Sequence, residues 1–235
     1  MGEIVSNSNG RSYVKYTFFK ADKSWRGLSD GEKAQGRGQF LAVLDEFSGR
    51  MMVRSYSTVG TRGDADLLVW NACDQLEPIQ RLTAALLSTG LGRRLDIPYS
   101  YLAMTRKSVY TEKHRHPGQE GSRLKITPTG GKYLFVYPFV KTRAWYALDK
   151  ATRQRMMDSH ISTGHKYPSV KINTSYSFGL DDQEFMVSFE TDSPSDFLDL
   201  VMELRGTEAS SYTLQDTPIF TCVSMSHEET LEMLG

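Results

Sequence analysis

Two aromatic-rich stretches set the pattern of this chain. Tyr13-Val14-Lys15-Tyr16-Thr17-Phe18-Phe19 and Tyr133-Leu134-Phe135-Val136-Tyr137-Pro138-Phe139 superimpose when the sequence is shifted by 120 positions. The same shift brings Trp25 onto Trp145 and Leu28 onto Leu148. Near the far end, Asp96-Ile97-Pro98 falls on Asp216-Thr217-Pro218. Landmarks repeated in one order indicate an internal duplication. The copies run over 12–104 and 132–225, with a segment 105–131 between them and a tail 226–235 behind.

Each copy predicts the same succession of elements. An aromatic strand comes first (13–20 and 133–140). A helix follows, opened by a capping box of Ser29 and Glu32 in the first copy and by Asp149 as N-cap in the second. Phe40, Leu44 and Phe47 keep helical spacing, while Gly31, Gly36 and Gly38 weaken the leading turns. Two strands come next. Val170, Ile172, Thr174, Tyr176 and Phe178 alternate with Lys171, Asn173, Ser175 and Ser177, the period of a strand with one apolar face and one small polar face. A turn at Gly179-Leu180-Asp181-Asp182 leads into Phe185–Phe189. A second helix presents Phe197, Leu200, Val201 and Leu204, with Ser193 as cap and Pro194 at its first position. A last strand begins after Pro218. This β-α-β-β-α-β order is the ferredoxin-like unit. The chain therefore reads as an α+β protein of duplicated ferredoxin-like repeats, two antiparallel sheets forming a barrel with helices outside.

Composition narrows the function. The 235 residues carry 28 basic and 28 acidic side chains, which removes the general electrostatic case for nucleic acid or an anionic membrane surface. The longest apolar run, Tyr133 to Val140, falls far short of the ~20 residues of a bilayer span. Residues 1–12 contain no apolar export core, so the expected location is cytoplasmic. Met1-Gly2-Glu3-Ile4-Val5-Ser6 fits the short myristoylation pattern, which is common by chance. Cys73 and Cys222 stand alone, without disulfide framework or zinc spacing. The chain has no Gly-x-Ser-x-Gly, phosphate loop, dinucleotide fingerprint or Cys-x-x-Cys.

The copies differ at one informative place. Met156, Met157, His160 and Ile161 share a stripe on the second copy's first helix, where the first copy has Phe40. A histidine on an apolar stripe is either a hydrogen-bonded core residue or a ligand for a metal or cofactor. Glu208, just beyond the second helix, is placed to accept its other ring N–H. Tyr137, Lys141, Arg143, Trp145 and Tyr146 lie close together. Such a set suits a planar acidic ligand, because rings stack and cations pair with carboxylates. Arg205 follows at a helix C-terminus, where it also complements the dipole. His114-Arg115-His116 in the inter-repeat segment offers two imidazoles without a third ligand, and a solvated basic loop accounts for it equally.

These residues resemble the chlorite dismutase-like family of haem proteins, and within it the coproheme decarboxylase branch. The likeness covers 12–225. Its most specific stretch runs from Tyr133 to Lys141, then through Trp145-Tyr146, Arg155 to His160, Gly164 to Pro168, Gly179 to Asp182 and Leu204 to Ala209. The resemblance implies roles. His160 matches the proximal iron ligand and Glu208 the carboxylate that orients it. Tyr137 matches the tyrosine that forms a radical beside a substrate propionate, and Lys141 the neighbouring cation. Arg205 and Ser210 match propionate contacts, and Trp145 belongs to the same wall. True chlorite dismutases carry an arginine thirteen residues after the proximal histidine. Asn173 stands there instead, which argues against efficient chlorite chemistry. His114 or His116 is the other candidate for the distal group.

The resemblance thus implies peroxide-dependent decarboxylation of two coproheme propionates to vinyl groups, giving haem b. Coproheme would be both cofactor and substrate, and the family assembles as homopentamers. Other readings are a haem peroxidase or weak chlorite-degrading enzyme on the same scaffold, a non-enzymatic haem carrier or sensor, and a cofactor-free domain with His160 in the core.

Overall fold

A computed structural model describes residues 10–110, 126 and 128–235. His114, His116 and the myristoylation pattern lie outside the described residues. In the first half, β1 (Tyr13–Ala21) leads to a short α1 (Lys23–Arg26) and a long α2 (Asp30–Ser48). Then come β2 (Met52–Ser57), β3 (Leu67–Cys73), α3 (Leu76–Ser88), a 3-10 turn (Gly92–Arg94) and β4 (Leu95–Met104). The second half follows the same order with β5 (Tyr133–Lys141), α4 (Arg143–Ala147), α5 (Lys150–Gly164), β6 (Lys171–Tyr176), β7 (Phe185–Thr191) and α6 (Pro194–Arg205). A 3-10 segment (Glu208–Tyr212), β8 (Thr213–Gln215), β9 (Phe220–Ser224) and α7 (His227–Glu232) complete it. Among the described residues no helix is long and apolar enough to cross a membrane.

The nine strands are antiparallel and pair in the order β7-β6-β4-β1-β3-β2-β9-β5-β8, with β5 also bonded to β7. The pairing therefore returns to its start. The halves meet along two short seams, Met104 opposite Tyr176 and Tyr56-Ser57 opposite Val223-Ser224. One face of the strands encloses a core drawn from both halves: Val14, Tyr16, Phe18 and Trp70 pack with Leu134, Val136, Met186 and Phe220. The other face carries the helices, which cover it fully over β2 but leave β6 exposed.

Caps and close contacts explain where the elements begin. Ser29 and Glu32 form the expected capping box on α2, and Asp149 caps α5 through Thr152. Ser193 precedes Pro194 as expected but makes no side-chain cap bond. Its hydroxyl lies 3.0 Å from that of Ser195. Gly36 is present for space: a Cβ there would stand 3.0 Å from the Trp25 ring and from the Leu91 nitrogen. The proline landmarks play different parts. Pro98 lies inside β4, whereas Asp216-Thr217-Pro218 separates β8 from β9.

The tail is structural. Helix α7 lies against α2 and β2, with Leu231 and Leu234 in the same cluster as Trp25, Phe40 and Leu44. Trp25 Nε1 donates to the Leu234 carbonyl at 3.1 Å. The His227 ring sits 2.7 Å from Ser55 Oγ and 3.2 Å from Ser48 Oγ.

Candidate functional site

Strand β5 sorts its residues by alternation. Leu134 and Val136 enter the shared core. Tyr133, Phe135 and Tyr137 face the helices. Phe135 stacks on Phe197 of α6 with centroids 4.0 Å apart, and Tyr137 lies against Phe189 at 6.0 Å. Burial is the main reason the Tyr137 hydroxyl holds its proton far above its usual range. The charge of Asp216 adds to this and that of Arg205 opposes it. Arg205 and Asp216 are themselves ion-paired, so Tyr137, Arg205 and Asp216 form one cluster.

Lys141 ends the same strand and is only 8% exposed. Its Nζ donates to the Ala209 carbonyl at 2.6 Å and lies 4.8 Å from the Trp145 ring centroid. Burial lowers its pKa to about 8, against the opposing charge of Glu184. Glu184 also accepts from the Lys141 backbone N–H at 2.8 Å and from the Tyr146 hydroxyl at 2.6 Å. A carboxylate thus ties down the strand end and the α4 ring together.

His160 is on α5, whose Met156 packs with Trp145 and Ala209. Its Nδ1 is sealed from solvent and has no hydrogen-bond partner. Burial, and then the charge of Lys141, lowers its pKa to about 4. At neutral pH the ring is uncharged, the form that binds a metal. Among the described residues no group of three His, Cys, Asp or Glu stands ready for a bare ion. The site offers one imidazole, which fits an axial bond to a metal already held by a macrocycle.

One expectation needs correction, and one residue keeps the polar strand face that its alternation predicted. Glu208 does not accept from His160. Its carboxylate receives Arg155 at 2.8 and 3.2 Å, because Arg155 leaves α5 on the exposed side beside it. Asn173 does not share a face with Tyr137. It stands opposite Ser188, whose hydroxyl is 3.2 Å from that of Tyr16 in the shared core. The Asn173 amide donates to the buried Glu190 at 3.1 Å. A count of thirteen from His160 ignores the two-residue period of a strand, and one step exchanges the faces. Ile172 and Thr174, opposite Phe189 and Val187, are the β6 residues on the helix side. Ser210 lies in the 3-10 segment, where its N–H bonds to Thr207 O. That segment also presents Ala209 to Lys141.

The helix-side rows of the two halves are covered differently. On β2, Val53 and Ser55 are buried under α2 and α7. On β6, Ile172 is 58% exposed, and Phe178 and Leu180 beyond it are 48% and 41% exposed. An uncovered apolar row on the side of the sheet that carries α5, with the buried Lys141 and the exposed Arg205 on the same half, is shaped for a flat ligand with acidic edges.

Comparison with known proteins gives the family. The family model described as chlorite dismutase matches residues 33–225. The chain belongs to the chlorite dismutase family. Within that family it is 32% identical to the coproheme decarboxylase of Mycolicibacterium smegmatis, with 94% of each chain covered. A variant of the chlorite dismutase from Candidatus Nitrospira defluvii superimposes with a TM-score of 0.85 at 26% identity, covering 94% of both chains. A heme-binding protein from Thermus thermophilus gives a TM-score of 0.80 at 26% identity, covering 95% of this chain and 94% of that one.

Sequence reasoning missed Glu184 and Asp216 as parts of this chlorite dismutase-family site, while Tyr146 was already in the expected cluster. Glu184 had a signal, since it is an acidic residue set directly between the turn and the Phe185–Thr191 strand. Asp216 was visible only as a landmark of the repeat.

Proposed function

We propose that the chain is a peroxide-dependent coproheme decarboxylase that binds its iron porphyrin through His160. The observation that carries this reading is the neutral His160 ring, its Nδ1 buried without a partner, beside the Tyr137–Lys141 strand and an uncovered apolar row. The curated relative is a coproheme decarboxylase, and the residues fit the same group. A bound iron porphyrin supplies the oxidising equivalents delivered by peroxide and, as coproheme, is also the substrate. Tyr137 keeps its phenolic proton at neutral pH, the state from which a hydrogen atom can be given up. Phe189 and the β5 backbone hold its ring in place. Lys141 and Arg205 offer positive charge to propionates, and Trp145 backs Lys141. The helix side of β6 offers Ile172 and Thr174. Neither supplies the guanidinium that the family resemblance associates with chlorite chemistry, which favours decarboxylation.

The architecture is read in the same way. Strand orders β4-β1-β3-β2 and β9-β5-β7-β6 are the ferredoxin-like order, and a carboxylate caps each first strand's end: Ala21 N bonds Asp66 at 3.0 Å as Lys141 N bonds Glu184. We therefore read two copies, 12–104 and 132–225, closing one barrel, in a cytoplasmic homopentamer.

The test is mass spectrometry. Protein mixed with ferric coproheme and titrated with hydrogen peroxide should remove two carboxyl groups per porphyrin. An unchanged porphyrin mass would refute the activity.

A further inference from the structure

We propose that Arg153 is a further recognition residue of this site, pairing with a carboxylate at the edge of a planar anionic ligand seated beside His160. The proposal rests on the porphyrin reading above and names a contact that reading did not use.

Arg153, Met156, Met157 and His160 follow one another on α5 at spacings of three, one and three, so they form a single stripe. Met156 is buried against Trp145 and Ala209, and His160, its Nδ1 sealed from solvent, lies close enough to feel the charge of Lys141. Arg153 belongs to the same row two turns nearer the helix start. Its Nε is sealed from solvent and has no acceptor. Other cations nearby are provided for. Arg155 pairs with Glu208, Lys166 with Glu203 and Arg205 with Asp216, while Lys141 has the Ala209 carbonyl.

A buried guanidinium N–H without an acceptor is costly, and the cost disappears when an anion arrives. The first half shows how the fold treats the corresponding place. Lys33, 120 residues earlier in sequence, lines a cavity of about 260 Å³ together with Asp66. The carboxylate there belongs to the protein and is already paired with Lys20, whose Nζ lies 2.7 Å from Asp66 Oδ1. Beside Arg153 the carboxylate would come from the ligand. Two helical turns span ~10 Å, comparable with the distance from a porphyrin's centre to its peripheral carboxylates. Arg also suits the task through its planar fork, which meets a carboxylate with two parallel bonds.

The experiment titrates the full-length apoprotein with ferric coproheme and, separately, with its uncharged tetramethyl ester, following the Soret band. Arg153→Ala should weaken coproheme binding by roughly tenfold or more and leave ester binding within about twofold. Arg153→Lys should recover part of the loss, because charge returns without the fork. Unchanged coproheme affinity in Arg153→Ala would overturn the proposal. Equal weakening of coproheme and ester would also overturn it, since a structural role moves both. Failure of the unaltered protein to bind either compound would overturn the porphyrin reading itself, and the two failures are therefore distinguishable.

Discussion

A single half-buried phenol carries the chemistry proposed for this protein, and its role can be separated from its packing. Tyr137 contributes a hydroxyl above a ring already held by Phe189, so Tyr137→Phe preserves shape and removes the reactive atom. It should still bind coproheme but decarboxylate on the order of a hundredfold more slowly. Porphyrin mass against time checks this, and wild-type turnover would refute it. The residue scale is also where the sequence was most and least informative. His160 stood out because an apolar stripe had exchanged a phenylalanine for an imidazole, and the structure keeps that ring half-buried, with its Nδ1 sealed from solvent, and neutral. Asn173 was legible on the small polar face of its strand, where it stands opposite Ser188. A distance in sequence from His160 does not specify which side of the sheet that face is on. Glu208 misled because its competitor Arg155, only five residues from His160, makes a forked pair that spacing does not reveal.

Elements explain why the second half has an open row and the first does not. Helix α7 lies against α2 and β2, fixed by Leu231 in the core and by His227 between two serines. Leu231→Ala should cost about 2–5 kcal/mol, read from urea unfolding, and no loss would show that α7 is an appendage. The His227 pKa is lowered, first by burial and then by Arg54 on β2, with Asp45 on α2 opposing. The unfolded ring takes up its proton more readily than the folded one. Stability should therefore fall as pH drops from about 6.5 toward the lower folded value. His227→Gln should flatten that slope, and an unaltered slope would assign it elsewhere. On α2, Gly36 reads in sequence as a weak point of the helix, but it makes room for Trp25. Gly36→Val should destabilise by about 1–3 kcal/mol through overpacking, measurable in the same titration. Matching landmarks 120 residues apart made the strand and main helix order legible. The short helices α1 and α4 and the docking of α7 were not, because four to six residues carry too little periodicity and their stability comes from tertiary contacts.

At the scale of the whole molecule, the halves share a core rather than a boundary. Tyr16 and Trp70 pack with Leu134, Val136 and Phe220, while direct strand pairing across the seams involves few residues. Stability of each half therefore depends on apolar burial supplied by the other, so unfolding should be a single transition, with far-UV circular dichroism and tryptophan fluorescence coincident. Two separated midpoints would contradict a common core. The arrangement leaves one half's helix side filled by the chain itself and the other's available to a ligand, and everything assigned to the available side depends on one bond from His160. The most direct test is the visible and EPR spectrum of ferric coproheme bound to the intact protein and to His160→Ala. The account predicts a high-spin, histidine-ligated spectrum that is lost in the variant; the same spectrum in both would contradict it.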